Sequence, residues 1–281
     1  MKQGELAMIE RNKGMALRYA TLAVILANVA WNYFSQAIDF GAGSMREISD
    51  RNDNLFTPAP YAFSIWGLIY LAFIVYAAVQ LLPSQRNVEY YDRLNPHLIA
   101  ANVLTSVWIV VFRSGYLGFS VVIIVATLLV ALQLFLRAHQ IVDTKPARLR
   151  LTIPFALFAG WLSVATIANV TQWIVSNEGQ NFGLGAWRWA ALIIAVAVLL
   201  AAVVAQRFRD VTYPAVFAWA LFAIAVHDRE DSLTITNFAY LAGIACAIIA
   251  IWVAYRRALL RLPLRREPKL PSNRPRARRT A

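Results

Sequence analysis

Charged residues along this chain are bunched, and the stretches between the bunches are long and apolar. Charge-free runs cover 19–38, 54–85, 94–112, 114–136, 151–177, 189–206, 211–227 and 232–255. The shortest of them reaches the roughly 17–25 residues that a membrane-spanning helix needs. The pattern predicts an all-α polytopic membrane bundle of about eight transmembrane helices. The run 211–227 is the weakest, with Pro214 near its start and His227 at its end. Strand-type alternation is absent, which argues against a transmembrane barrel. The first run reads as a retained anchor. Asn28, Trp31, Asn32 and Tyr33 fill its second half, and no small-x-small cleavage site is evident there.

Composition agrees. Of 281 residues, 59% are hydrophobic and 15% charged, and mean hydropathy is +0.53. Soluble domains carry about 25% charged residues, so this chain has too little charge to cover a water-facing surface. Net charge is +12, and its placement sets topology. With eight spans and the N-terminus inside, 22 of the 27 Lys and Arg fall on the inner side and 5 on the outer. That bias places both termini in the cytoplasm, and the expected location is a bacterial plasma membrane. The tail holds ten basic residues and four prolines. It cannot build a core, and its expected partner is anionic lipid, at about 1 kcal/mol per basic residue near the surface, rather than nucleic acid. Cys246 is the only cysteine, so neither a disulfide nor a thiolate metal site can form within the chain.

The stretch "TPAPYAFSIWGLIY", residues 57–70, opens the second span. Thr57 suits a helix N-cap, and Pro58 and Pro60 suit a first turn. Phe63, Trp66 and Tyr70 then fall within about 60° of one another on a 3.6-residue helix. Gly67 beside them would admit a neighbouring backbone. Counting down from the outer end places Trp66 about 12 Å below Pro58, deeper than an interfacial aromatic belt. Trp31, Trp108, Trp161 and Trp173 gather in the outer half or near mid-membrane. Asn28, Asn32 and Gln36 recur every four residues on the first span, and Asn169 and Gln172 lie in the outer half of the fifth. Amides at such depth face protein or a cavity. Interhelical hydrogen bonding is one account of them, at roughly 0.6–2 kcal/mol per bond. Their coincidence in depth with the tryptophans favours a cavity. The loop 39–57, mixed in charge, is expected to cover it.

Other chemistry is missing. No Asp, Glu, Lys or Arg lies inside a predicted span except Arg113 at a helix end, whereas ion-coupled transporters usually bury such groups. No phosphate-binding loop, zinc-protease or serine-hydrolase motif occurs. His97, His139 and His227 are too dispersed for a haem or metal site, and each reads as a helix-end residue. Trp187, Trp189 and Trp252 read as interface anchors, and Trp219 as packing.

At these residues the chain resembles the TspO/MBR family, the tryptophan-rich sensory or translocator proteins. Pro58, Pro60, Phe63, Ile65, Trp66 and Tyr70 match its second-helix signature. In "GWLSVATIANVTQW", Trp161, Ala165, Thr166, Asn169 and Trp173 match its fifth-helix motif. Trp108 and Phe112 match a third-helix pair, but the family's Asn before that Trp is Thr105 here, with Asn102 nearby. The resemblance covers residues 17 to about 177. It implies a five-helix core with a ligand cavity beneath the first outer loop. Tetrapyrroles such as protoporphyrin IX, or sterols in eukaryotic members, would be the ligands.

The sequence therefore suggests a five-helix ligand-binding core over 1–180, three further transmembrane helices over 181–257, and a basic disordered cytoplasmic tail over 258–281. The expected ligand-binding residues are Phe63, Trp66, Tyr70, Trp161, Ala165, Asn169, Asn28, Asn32, Trp31 and Trp108. No catalytic residue, metal ligand or resident cofactor is assigned beyond a tetrapyrrole. A binding or sensory protein for a flat hydrophobic ligand leads. Transport of such a ligand and light-dependent porphyrin breakdown are the alternatives, and a homodimer is left open.

Overall fold

The computed structural model describes the backbone of residues 2–141, 145–177, 183–227 and 232–259, and their side chains except 2–13 and 145–150. The proposed lipid contacts of the basic tail lie outside the described residues from 260 onward. Among the described residues the chain is all helix, with no strand. The elements are α1 (Lys2–Ala37), α2 (Met45–Arg51), α3 (Ile65–Val79), α4 (Tyr90–Arg113), α5 (Leu117–Ile141), α6 (Lys145–Ser176), α7 (Ala186–Phe208), α8 (Thr212–His227) and α9 (Leu233–Leu259). Seven are long and apolar enough to cross a membrane, counting α3 with its lead-in, and α8 is a shorter apolar helix of 16 residues. This is a polytopic membrane helix bundle.

Two expectations change in detail. The charged lead before residue 18 continues as helix, because its Lys, Glu, Leu, Ala, Met and Arg are good helix formers. The second span does not start at Thr57. Residues Pro60–Ser64 form a 3-10 turn, and α3 follows from Ile65. Thr57 is buried, and its hydroxyl accepts from the Asn54 backbone N–H (3.2 Å). Pro60 still opens a helical turn, as a proline can where no N–H is needed, but that turn is 3-10.

Helices α1, α3, α4, α5 and α6 pack as one group, and α7, α8 and α9 pack as another. The groups meet where α8 lies against α6 and against the 3-10 turn. Small residues permit the approach. A Cβ on Gly160 of α6 would stand 3.1 Å from Val216 of α8, and one on Gly243 of α9 would stand 2.9 Å from the Phe222 ring. Helix α6 is the most buried of the seven long helices.

Two buried arginines fasten the two ends of the apolar part of α1. At the end where α1 begins its apolar run, Arg18 donates to the Asp92 carboxylate (3.0 Å) and to the carbonyls of Gln80, Gln85 and Val88. Beneath it a buried chain runs from the Tyr76 hydroxyl to Asn95 and on to Gln80. At the other end Arg113 of α4 donates to the carbonyls of Ser35, Ile38 and Gly43, and its guanidinium lies 4.0 Å from the Phe40 ring centre. No carboxylate is needed, because the C-terminal turn of α1 already offers unpaired carbonyls.

Candidate functional site

The Arg113 end of the bundle contains a cavity of about 610 Å³, within the 300–1,000 Å³ usual for small-molecule sites. Its walls come from α1, α3, α4 and α6, its roof from α2, and one edge from the end of α8. The aromatic face expected on α3 forms. The rings of Trp66 and Tyr70 stack with centres 5.5 Å apart. Trp161 of α6 stands edge-on to both Phe63 (5.9 Å) and Trp66 (6.5 Å). These four side chains make a right-angled aromatic corner, combining the stacked and edge-to-face arrangements that aromatic rings prefer. A water-sized recess of about 30 Å³ continues between α4, α5 and α6, past Thr105, Thr127 and Leu162.

Of the expected residues, Phe63, Trp66, Tyr70, Trp161, Ala165, Asn169, Asn32 and Trp108 line this cavity. Asn28 and Trp31 do not. The Asn28 amide donates to Asn102 (2.9 Å) and accepts from the Ser106 hydroxyl, and the Trp31 indole donates to the Ser106 carbonyl. Both residues join α1 to α4, one helical turn or less from the cavity floor. Asn102 thus carries an interhelical amide contact, while Thr105 folds back onto the Ala101 carbonyl and lines the wall. Asn169 is also committed within the protein. Its carbonyl accepts from the Trp108 indole (2.8 Å) and its amide donates to the Ser120 hydroxyl. It holds the Trp108 ring at the wall. Trp173 lies outside the lining, with its indole against Gly118.

Two buried polar atoms without a hydrogen-bond partner belong to the aromatic corner. The Tyr70 hydroxyl and the Trp161 indole N–H are buried and have no hydrogen-bond partner in the protein, and Thr166 one turn further along α6 is in the same state. A buried donor left unpaired costs about 1–3 kcal/mol, and these atoms, closed off from water behind the cavity wall, carry that cost in the empty protein.

Gly67 differs from expectation. A Cβ there would meet no atom within 4 Å, and the residue lines the cavity. The glycine leaves open space in the cavity, and no neighbouring backbone approaches it.

The loop 39–57 carries a helix that the charge pattern alone did not reveal. Ser44 and Glu47 form a capping box at the start of α2, and S-x-x-E is the signal that could have found it. The Ser44 backbone N–H, donating to the Glu47 carboxylate, holds that carboxyl below its ordinary value, with help from the Ser44 hydroxyl and Arg51. Met45, Arg46, Ser49 and Asp50 face the cavity, and Gln172 of α6 donates to the Ser49 hydroxyl (2.8 Å). The roof is therefore fastened at Ser49 and, through Gly43, at Arg113. Gly41 is required for that approach. It has φ +71°, and a Cβ there would collide with the Arg113 carbonyl.

The comparisons with known proteins come to one positive result. A family model described as TSPO-like protein matches residues 18–254, while no curated protein and no solved structure matches the chain. The match begins at the anchoring Arg18 and runs past residue 177, through α7, α8 and most of α9. It takes in every element that lines the cavity. The chain, an integral membrane protein, belongs to the TSPO-like protein family.

Proposed function

We propose that the protein binds a flat hydrophobic ligand of the tetrapyrrole class in the cavity under α2, and acts as a membrane sensory or binding protein for it. The observation that carries the reading is the aromatic corner of Phe63, Trp66, Tyr70 and Trp161, with two buried polar atoms unpaired in it. Rings on two perpendicular walls give a macrocycle one face to stack on and one edge to meet. The Tyr70 hydroxyl and Trp161 N–H, closed off in the empty cavity, would pair with its polar atoms once the rings turn toward it. The rim, with Arg46, Asp50, Gln36 and His227, is polar enough to accept charged substituents. From the charge bias, the cavity end faces away from the cytoplasm. The aromatic motifs and most of the cavity wall fall in residues 1–180.

Opposite effects on binding and stability test this reading. Tyr70→Phe removes a buried hydroxyl that has no partner. The empty protein should be no less stable, since an unpaired polar group is lost. Protoporphyrin IX affinity should fall by about 5- to 150-fold, the range for losing a hydrogen bond worth about 1–3 kcal/mol. Fluorescence quenching titrations and thermal unfolding of the same preparations read both. Unchanged affinity with lowered stability would make Tyr70 a packing residue and remove this support.

A further inference from the structure

Helix α8 meets the entry segment of α3 through three residues spaced four apart. The Trp219 indole donates to the Ala62 carbonyl (3.1 Å). The Ala223 carbonyl accepts from the Ala59 amide (3.0 Å). His227 Nε2 meets Asp53 Oδ1 (2.9 Å). Residues at i, i+4 and i+8 share one helix face and span about 12 Å. The face runs antiparallel to residues 53–62 and grips that segment from its foot to its top.

The three contacts differ in burial. Ala59 and Ala62 are buried, and the Tyr61 ring packs edge-on against Trp219 (5.2 Å). The His227 and Asp53 side chains are 23% and 45% exposed. Hydrogen bonds at the foot are shielded from water, whereas water competes for the contact at the top. Between the two ends lie Thr57 and Pro58, which line the cavity, as does His227 itself. The segment continues upstream into α2, the roof.

We propose that α8 is the fixed jamb of the cavity mouth and that His227 is its latch: the segment 53–62 is pinned at Ala59 and Ala62 and releases at Asp53, so that access to the cavity is governed by a helix outside the motif-bearing bundle. The contact needs no charge on the imidazole, because a neutral ring with Nε2 protonated donates to the carboxylate. Trp219 is a positioning residue for the motif that begins at Pro58. The latch has a purpose only if the cavity binds a ligand, but its existence is tested by access alone.

The reporter is Ala168→Cys on the cavity wall, labelled by a hydrophilic maleimide in detergent. The native Cys246 is fully buried, so the new thiol dominates. His227→Ala and Asp53→Ala should each speed labelling by about two- to fivefold, the range for losing one partly exposed polar contact. The double variant should be no faster than Asp53→Ala alone, because His227→Ala removes only a contact that Asp53→Ala has already removed, Asp53 Oδ1 accepting in addition from the Asn54 backbone N–H (2.9 Å). His227→Gln, which keeps a donor toward Asp53, should restore the wild-type rate. Unchanged labelling in the single variants, additive acceleration in the double, or no rescue by Gln would each overturn the latch. None of these outcomes depends on whether protoporphyrin IX binds.

Discussion

Gly67→Trp is expected to weaken protoporphyrin IX binding by more than about tenfold, roughly 1.4 kcal/mol, while leaving the unfolding temperature of the empty protein nearly unchanged. The residue sits in the first turn of α3, between Trp66 and the stacked Tyr70, and space for a side chain is open there. A glycine inside a helix ordinarily costs about 0.5–1 kcal/mol relative to alanine, and this one serves no close backbone contact that would offset the cost. Gly67→Ala should therefore stabilise the helix and keep binding. Larger residues should lose affinity in order of size, because each fills volume that a ligand would occupy. Titrations and melting curves across Ala, Leu and Trp separate occlusion from damage. Loss of stability in step with size would show that Gly67 packs against something. Full binding by the Trp variant would place the ligand elsewhere.

Arg113→Ala is expected to lower stability by roughly 2–4 kcal/mol, given about 1–3 kcal/mol for each buried polar group left without a partner, and to free the roof. Its guanidinium serves three carbonyls, Ser35 in the last turn of α1, Ile38 just past it and Gly43, and its own carbonyl accepts from the Ala42 amide (2.6 Å). The residue is buried, so water cannot take over the three carbonyls without the loop moving. Arg113→Lys should recover only part of the loss, since one ammonium cannot span the same fork of acceptors. Limited trypsin digestion reads the roof separately from the global fold, because Arg46 and Arg51 both lie in α2. Faster cleavage there in the Ala variant is the expected result. Equal cleavage with unchanged melting would mean that Arg113 does not hold the roof.

The helices were legible because the solvent they face is uniform. A bilayer excludes charge, so the runs between charges delimit spans without any packing information. The aromatic corner was legible for a related reason, since Phe63, Trp66 and Tyr70 share a face by spacing alone. Partner choice was not. Asn28 and Asn32 lie on one face of α1, yet Asn28 bonds to α4 and Asn32 lines the cavity. Nothing in a four-residue repeat says where the neighbouring helix stops touching. Gly67 was misjudged because a small residue admits either a backbone or a ligand, and only the surroundings decide. Trp219 read as packing because an indole donor shows its acceptor only when the two elements, 157 positions apart, are brought together. His227 and Asp53 were likewise single residues at the ends of separate segments.

The aromatic corner is the claim on which the rest depends, and saturable quenching of protoporphyrin IX fluorescence by the purified protein in nanodiscs tests it most directly. Trp66→Ala is expected to reduce affinity about 5- to 150-fold, on the scale of roughly 1–3 kcal/mol per stacked aromatic, and Trp66→Phe less, because a ring remains. Trp252→Ala, on the exposed face of α9 and remote from the cavity lining, is expected to bind like the wild type. Equal losses at Trp66 and Trp252, or no saturable quenching by the wild type, would contradict the account.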